Sequence, residues 1–316
     1  DTKALSGGVL SEEEFLAQAD LVLQERRRML GVALDQFKSG FLFFYFGTSD
    51  QVGHMFFRHQ DSAHAGFEAG DKKYSQVLKD VYRKLDDEVA RAWKSLGPDD
   101  LLLVISDHGF GPASYLFDIN AWLHRQGYLA LKETPGDGIL GHIDWEKTQA
   151  YGLGLNGLYI NIKGRERFGA VPLERASELM EKISGELLSL LHPATGGQVV
   201  TEMTRPDRVY KGPALDRAPD LIVGYGPGFK VNDASAMGGV GPELYKVNHG
   251  AWGGDHCGDH RLVPGVIFSS KKLRKSNKSL LDLAPTILRQ FGVEVPELWV
   301  GDSLLRGRTR GGDGAK

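Results

Sequence analysis

Two short apolar runs, "FLFFYF" at 41–46 and "LLLVIS" at 101–106, constrain this chain more than any other feature of it. A strand with one wet face alternates apolar and polar residues, whereas a run that is apolar at nearly every position calls for cover on both faces. Each run follows a helical pattern. Ser11 and Glu14 stand in capping-box spacing, and Phe15, Ala19, Val22, Met29, Ala33 and Phe37 recur at helical intervals before Gly40. A second pattern over 72–96 carries Tyr74, Leu78, Val81, Leu85, Val89 and Trp93 on one stripe and ends at Gly97. Helix, apolar run, loop, helix, apolar run is the order of an α/β fold. Right-handed crossovers would make the two strands parallel and send their following loops out of one sheet edge.

The middle of the chain is less regular. Residues 118–126 and 173–192 read as helices and 157–162 and 220–226 as strands, a pattern that predicts an insertion or cap built on the sheet. A last apolar run at 263–270 and a helix at 279–292 return to the core. The expected division is 1–110 for the first part of an α/β core, 111–250 for the cap with some core elements, and 251–316 for the closing part, all within one structural domain.

The 316 residues carry a net charge of −3, which leaves no basic field to attract nucleic acid, and no nucleic-acid surface is expected. Cys257 is the sole cysteine, so the fold contains no intrachain disulfide and the redox compartment stays open. No apolar run approaches the ~20 residues that span a bilayer, and the first residues lack a signal-peptide core. The sequence therefore reads as a soluble chain of unknown localisation.

Open α/β sheets place their sites beyond the carboxyl ends of strands. Asp50 and His54 follow the first apolar run, and Asp107 and His108 follow the second. A third group, His249, Asp255, His256, Asp259 and His260, precedes the run at 263–270. Carboxylate oxygen and imidazole nitrogen together suit Zn²⁺, Mn²⁺ or Fe. Asp50 and His54, four residues apart, fall on one face of a helical turn, and Gly109 permits the irregular backbone that the adjacent pair Asp107 and His108 needs. Any one Asp could equally be a helix cap and any one His a surface residue, but three clusters at strand ends point jointly to a metal centre. Cys257 reads as a small apolar residue, and His59, His64, His124, His142 and His192 as structural or exposed.

The motifs "DQVGH", "LLLVISDHGFG", "GGDHCGDH" and "LLDLAPTILRQFGVEVPELWVGDSL", in that order, resemble the alkaline phosphatase superfamily, and within it the type I phosphodiesterase/nucleotide pyrophosphatase family. The resemblance extends over nearly the whole chain. It implies a three-layer α/β sandwich with a mostly parallel central sheet and an inserted cap. It also implies two divalent metal ions, zinc with Mn or Fe as alternatives, one held by Asp50, His54 and a later histidine and the other by Asp107 and His108. His256 is taken as the later histidine because "GDHCGD" is similar to the family's Gly-x-His-Gly-x-Asp pattern, with His260 in "GDHR" as the alternative.

Phosphoryl transfer from a small-molecule phosphate ester or nucleotide, through a covalent intermediate, is the implied reaction. The nucleophilic Thr or Ser and one further metal-binding Asp have no counterpart in these residues, so the resemblance implies a C-terminal portion of a longer enzyme with its catalytic nucleophile elsewhere. Thr48 and Ser49 lie in the ligand loop rather than at a nucleophile's position. Three other readings stand beside this one: a noncatalytic metal-binding or interaction domain of the same descent, a phosphomonoesterase or sulfatase-like hydrolase, and a metal-independent binding module whose Asp and His residues are caps.

Overall fold

A computed structural model describes residues 1–134, 136–274 and 278–305. Its helices are α1 (Thr2–Ser6), α2 (Glu12–Gln36), α3 (Thr48–Gln60), α4 (Val77–Lys94), α5 (Ile119–Arg125), α6 (Leu173–Leu188), α7 (Pro206–Val209), α8 (Asp233–Ala236) and α9 (Leu283–Gln290). The strands are β1 (Leu103–Ile105), β2 (Gly111–Pro112), β3 (Tyr115–Phe117), β4 (Ala150–Leu153), β5 (Gly157–Ile160), β6 (Val200–Thr204), β7 (Leu221–Tyr225), β8 (Phe229–Val231), β9 (Tyr245–Val247), β10 (Gly254–Asp255) and β11 (Ile267–Ser269). The chain divides into two units, one of residues 1–85 and 108–264 and one of residues 86–107 and 265–316.

The first unit has two apolar cores. The larger lies on the four-stranded sheet β4-β5-β7-β6 and takes Leu158, Ile160, Val223 and Tyr225 from the sheet, Trp122 and Leu123 from α5, and Ile183 and Leu187 from α6. The smaller gathers Leu5, Phe15, Ala19, Val52, Met55, Phe56, Tyr74, Leu78 and Val81 from the first helices. The capping box at Ser11 and Glu14 starts α2 as its spacing predicts. The buried stripe of α2 is Phe15, Ala19, Leu23 and Leu30, whereas Val22 and Met29 are exposed. Steps of four and seven residues from Phe15 hold a tighter face than the stripe read from the sequence.

Mixed α/β content is present, but the mostly parallel central sheet is not. Among the described residues β3 and β8 pair in parallel, and every other strand pairing is antiparallel. The run "FLFFYF" forms no strand. Phe41, Phe43 and Tyr45 are more than half exposed while Leu42, Phe44 and Phe46 are partly buried, a period of two that marks an extended segment lying with one face against the protein. Within the second unit, "LLLVIS" supplies the three-residue strand β1, paired antiparallel with β11. Continuous apolarity earns two-sided burial only where neighbouring strands and covering helices exist, and a two-stranded ribbon leaves Phe268 mostly exposed.

Leu158 is fully buried at the centre of the larger core. Its truncation, Leu158→Ala, should lower unfolding stability by about 2–5 kcal/mol in urea titrations, because the sheet beneath it relaxes only in part. A loss under about 1 kcal/mol would mean that this core is not packed as described.

Candidate metal centre

Helix α3 delivers two candidate ligands. It begins after Gly47, with Thr48 buried in its first turn, and it sets Asp50 and His54 one turn apart on the same face. The His54 Nε2 lies 3.5 Å from Asp50 Oδ1. On the other side of the ring, the Nδ1–H donates to the Gly254 carbonyl at 2.8 Å, which fixes the tautomer and leaves the Nε2 lone pair facing Asp50.

This reach from α3 to β10 depends on Gly254, and Gly53 beside it makes room for the Phe110 ring. A Cβ on Gly254 would sit 2.5 Å from Phe57 Cβ and 2.6 Å from the Gly53 carbonyl oxygen, and a Cβ on Gly53 would press on the Phe110 ring at 3.0 Å. Helix and strand therefore touch at backbone distance. Side chains then pin the loop before β10: Arg58 donates to the His249 and Gly250 carbonyls, His64 Nε2–H to the Gly253 carbonyl, and the Asn248 amide to the carbonyls of Ala113 and Trp252.

His108 precedes β2 and His256 follows β10, which puts both at the same end of the small antiparallel ladder, the end where Asp255 pairs with Gly111. Their rings stack at 3.5 Å with planes 14° apart. The Nε2 of His256 is 3.5 Å from Asp50 Oδ1 and that of His108 is 3.8 Å from it. His108 Nδ1–H donates to the Gly109 carbonyl at 2.9 Å, so in the neutral ring Nε2 is the unprotonated nitrogen. Gly109 is needed for space rather than for an unusual φ, because a Cβ there would meet the Pro264 carbonyl oxygen at 2.6 Å.

The structure thus brings Asp50, His54, His108 and His256 together. Asp50, His108 and His256 offer ligand atoms that all lie within 4.8 Å of one another. Asp107 lies at the end of the segment 86–107 of the second unit, next to His108 in the chain. His260 sits apart from the cluster, with an exposed ring 2.9 Å from Glu202. Of the histidines read as structural, His64, His124 and His192 each make a hydrogen bond through the ring, and His59 is buried 3.2 Å from Glu12.

The electrostatics of the cluster suit a cation. Asp50 Oδ1 is buried and accepts no hydrogen bond among the described residues, although three imidazole nitrogens surround it. With Nδ1 of His54 and of His108 committed as donors, those Nε2 lone pairs face a carboxylate oxygen, an arrangement that repels unless a proton or a metal ion lies between. Burial lowers the pKa of His54, which keeps that ring in the neutral form that binds metals. Burial, reinforced by Asp255, pushes the Cys257 thiol up to about 12, so without a bound cation it stays protonated at neutral pH.

The model of the type I phosphodiesterase / nucleotide pyrophosphatase family matches residues 10–255. The chain belongs to this family, whose members are hydrolases and are usually metal-dependent. His256 lies one residue beyond the match. No curated protein matches the chain. Among the described residues, no helix is long and apolar enough to cross a membrane.

Sequence reasoning did not find Trp252, Phe110 or Lys230. Trp252 stacks on His54 with ring centroids 3.8 Å apart, Phe110 sets its ring against His54 and His256, and Lys230 lies 3.7 Å from Asp255. The only signal for Trp252 was its place three residues before Asp255.

Burial depresses the pKa of His64 and His192 as well as that of His54. In each case the unfolded chain takes its proton at the higher pH, near the ordinary imidazole value of about 6.5. The stability held by these neutral rings is therefore present above that value and is lost as pH falls below it. The urea midpoint of metal-free protein should drop between pH 7.5 and pH 5.5, and His64→Gln should flatten the drop. A midpoint that rises on acidification would contradict the neutral, buried assignment.

Proposed function

We propose that this chain carries the metal centre of a phosphodiester or pyrophosphate hydrolase, acting on a small phosphate ester or nucleotide. The observation that carries the reading is the Asp50 carboxylate oxygen, which is buried among three imidazole nitrogens at 3.5, 3.5 and 3.8 Å and accepts no hydrogen bond among the described residues. That donor set, one carboxylate and neutral imidazoles, fits zinc best and accepts Mn or Fe. Asp50, His54 and His256 would hold one ion. Asp107 and His108 would take part in a second, an assignment that rests on their adjacency in "SDHG" and on the family.

When bound, such ions polarise phosphoryl oxygens and lower the pKa of a hydroxyl group. The residues of the chain do the rest. Gly254 and Gly109 carbonyls orient His54 and His108 so that Nε2 points inward. The rings of Trp252 and Phe110 keep water from His54, which stays neutral. Asp50, His108 and His256 retain partial exposure, so the cluster is open to solvent and a small substrate has access from that side.

Saturating the protein with Zn²⁺ or Mn²⁺ should raise its melting temperature, since a ligand at 100 times its Kd stabilises by about 2.7 kcal/mol. Asp50→Ala should abolish this rise, yet leave stability in EDTA nearly unchanged, because Asp50 Oδ1 accepts no hydrogen bond among the described residues. In the full-length gene product, cleavage of bis-p-nitrophenyl phosphate should exceed that of p-nitrophenyl phosphate. Equal melting of wild type and Asp50→Ala with and without cation would remove the metal centre, and a preference for the monoester would turn the reading to a phosphomonoesterase.

A further inference from the structure

Asp255 and Lys230, which the hydrolase reading does not use, form a connected group with Trp252 and the main chain at His256. Asp255 Oδ1 accepts the backbone N–H groups of His256 and Cys257, both at 2.8 Å, and its Oδ2 accepts the indole N–H of Trp252 at 2.9 Å. The Lys230 ammonium lies 3.7 Å from the same Oδ2, in a side chain that is almost fully buried, and 5.6 Å from the centre of the Trp252 ring. Trp252 in turn covers the His54 ring at 3.8 Å, the planes inclined by 32°. One carboxylate therefore links the main chain that carries His256 to the ring that packs on His54.

Each contact has a separate consequence. The two N–H bonds fix the start of the loop after β10, and with it the direction in which His256 leaves the strand. The indole bond prevents Trp252 from sliding over the His54 face, so the His54 ring keeps both its plane and its bond to Gly254. Lys230 supplies the positive charge that a buried carboxylate requires.

We propose that Asp255, held by Trp252 and Lys230, is the positioning residue that sets His54 and His256 for cation binding. The proposal rests on the metal-centre reading above. Outer partners of metal ligands act by orienting them, and their loss typically weakens metal affinity 10–100-fold. Asp255 is not required to touch the ion to have this effect.

The test uses Co²⁺ as the probe, because its visible bands report ligand number and geometry while a chelator competition gives its Kd. Full-length chains of wild type, Asp255→Asn, Trp252→Phe and the double variant are compared, each with unfolding in EDTA recorded alongside. Asp255→Asn should weaken Co²⁺ binding at least about tenfold and alter the visible bands. Trp252→Phe keeps a ring on His54 but removes the N–H, and should weaken binding in the same direction by a smaller factor. The double variant should match Asp255→Asn, because both substitutions break the same bond between Asp255 and the Trp252 indole. A merely structural role would shift the unfolding midpoints and leave Kd and bands within about twofold of wild type; that result overturns the proposal while the metal centre stands. Wild type that binds no Co²⁺ would overturn both.

Discussion

The hydrogen bond from His54 Nδ1–H to the Gly254 carbonyl is the contact on which the candidate site depends. It joins residues 200 positions apart and selects the tautomer whose Nε2 faces Asp50. It depends on Gly254, which carries no Cβ and so lets β10 approach the Gly53 carbonyl of α3 at backbone distance. Once α3 is in place, the β2-β10 ladder brings His108 and His256 beside it, and the stacking of their rings directs both Nε2 atoms at the same oxygen.

An oxygen so placed is a poor feature for a protein meant to work without a cation. Buried carboxylate oxygens are ordinarily satisfied by donors, and Asp259 shows the usual solution in this same chain: Arg261 and Thr201 bond it and hold its pKa well below the ordinary range. Asp50 Oδ1 has three nitrogens nearby and accepts no hydrogen bond among the described residues. The contrast is between a carboxylate satisfied within the fold and one whose Oδ1 has no hydrogen-bond partner among the described residues.

Much of this was legible in the sequence, for local reasons. Asp50 and His54 are four apart, so any helix there puts them on one face, and the capping box at Ser11 marks the start of α2 without long-range information. "DQVGH" and "SDHG" stood out as candidate ligand motifs, and the range of the family match includes both. What failed was the inference from apolarity to sheet. "FLFFYF" has the composition of a buried parallel strand, but composition says nothing about whether neighbours exist, and Phe43 is 66% exposed. The choice between His256 and His260 turns on where a loop folds, four residues apart in a glycine-rich stretch that carries no periodicity. Trp252, Asp255 and Lys230 meet through contacts from β8 and the loop before β10, which no local pattern encodes.

The most direct test is X-ray absorption at the zinc edge on protein loaded with one equivalent of Zn²⁺. The structure predicts a nitrogen- and oxygen-ligated ion with multiple-scattering features of at least two imidazoles, and loss of the bound ion in Asp50→Ala. A spectrum dominated by sulfur, or one with oxygen ligands and no imidazole, would contradict it.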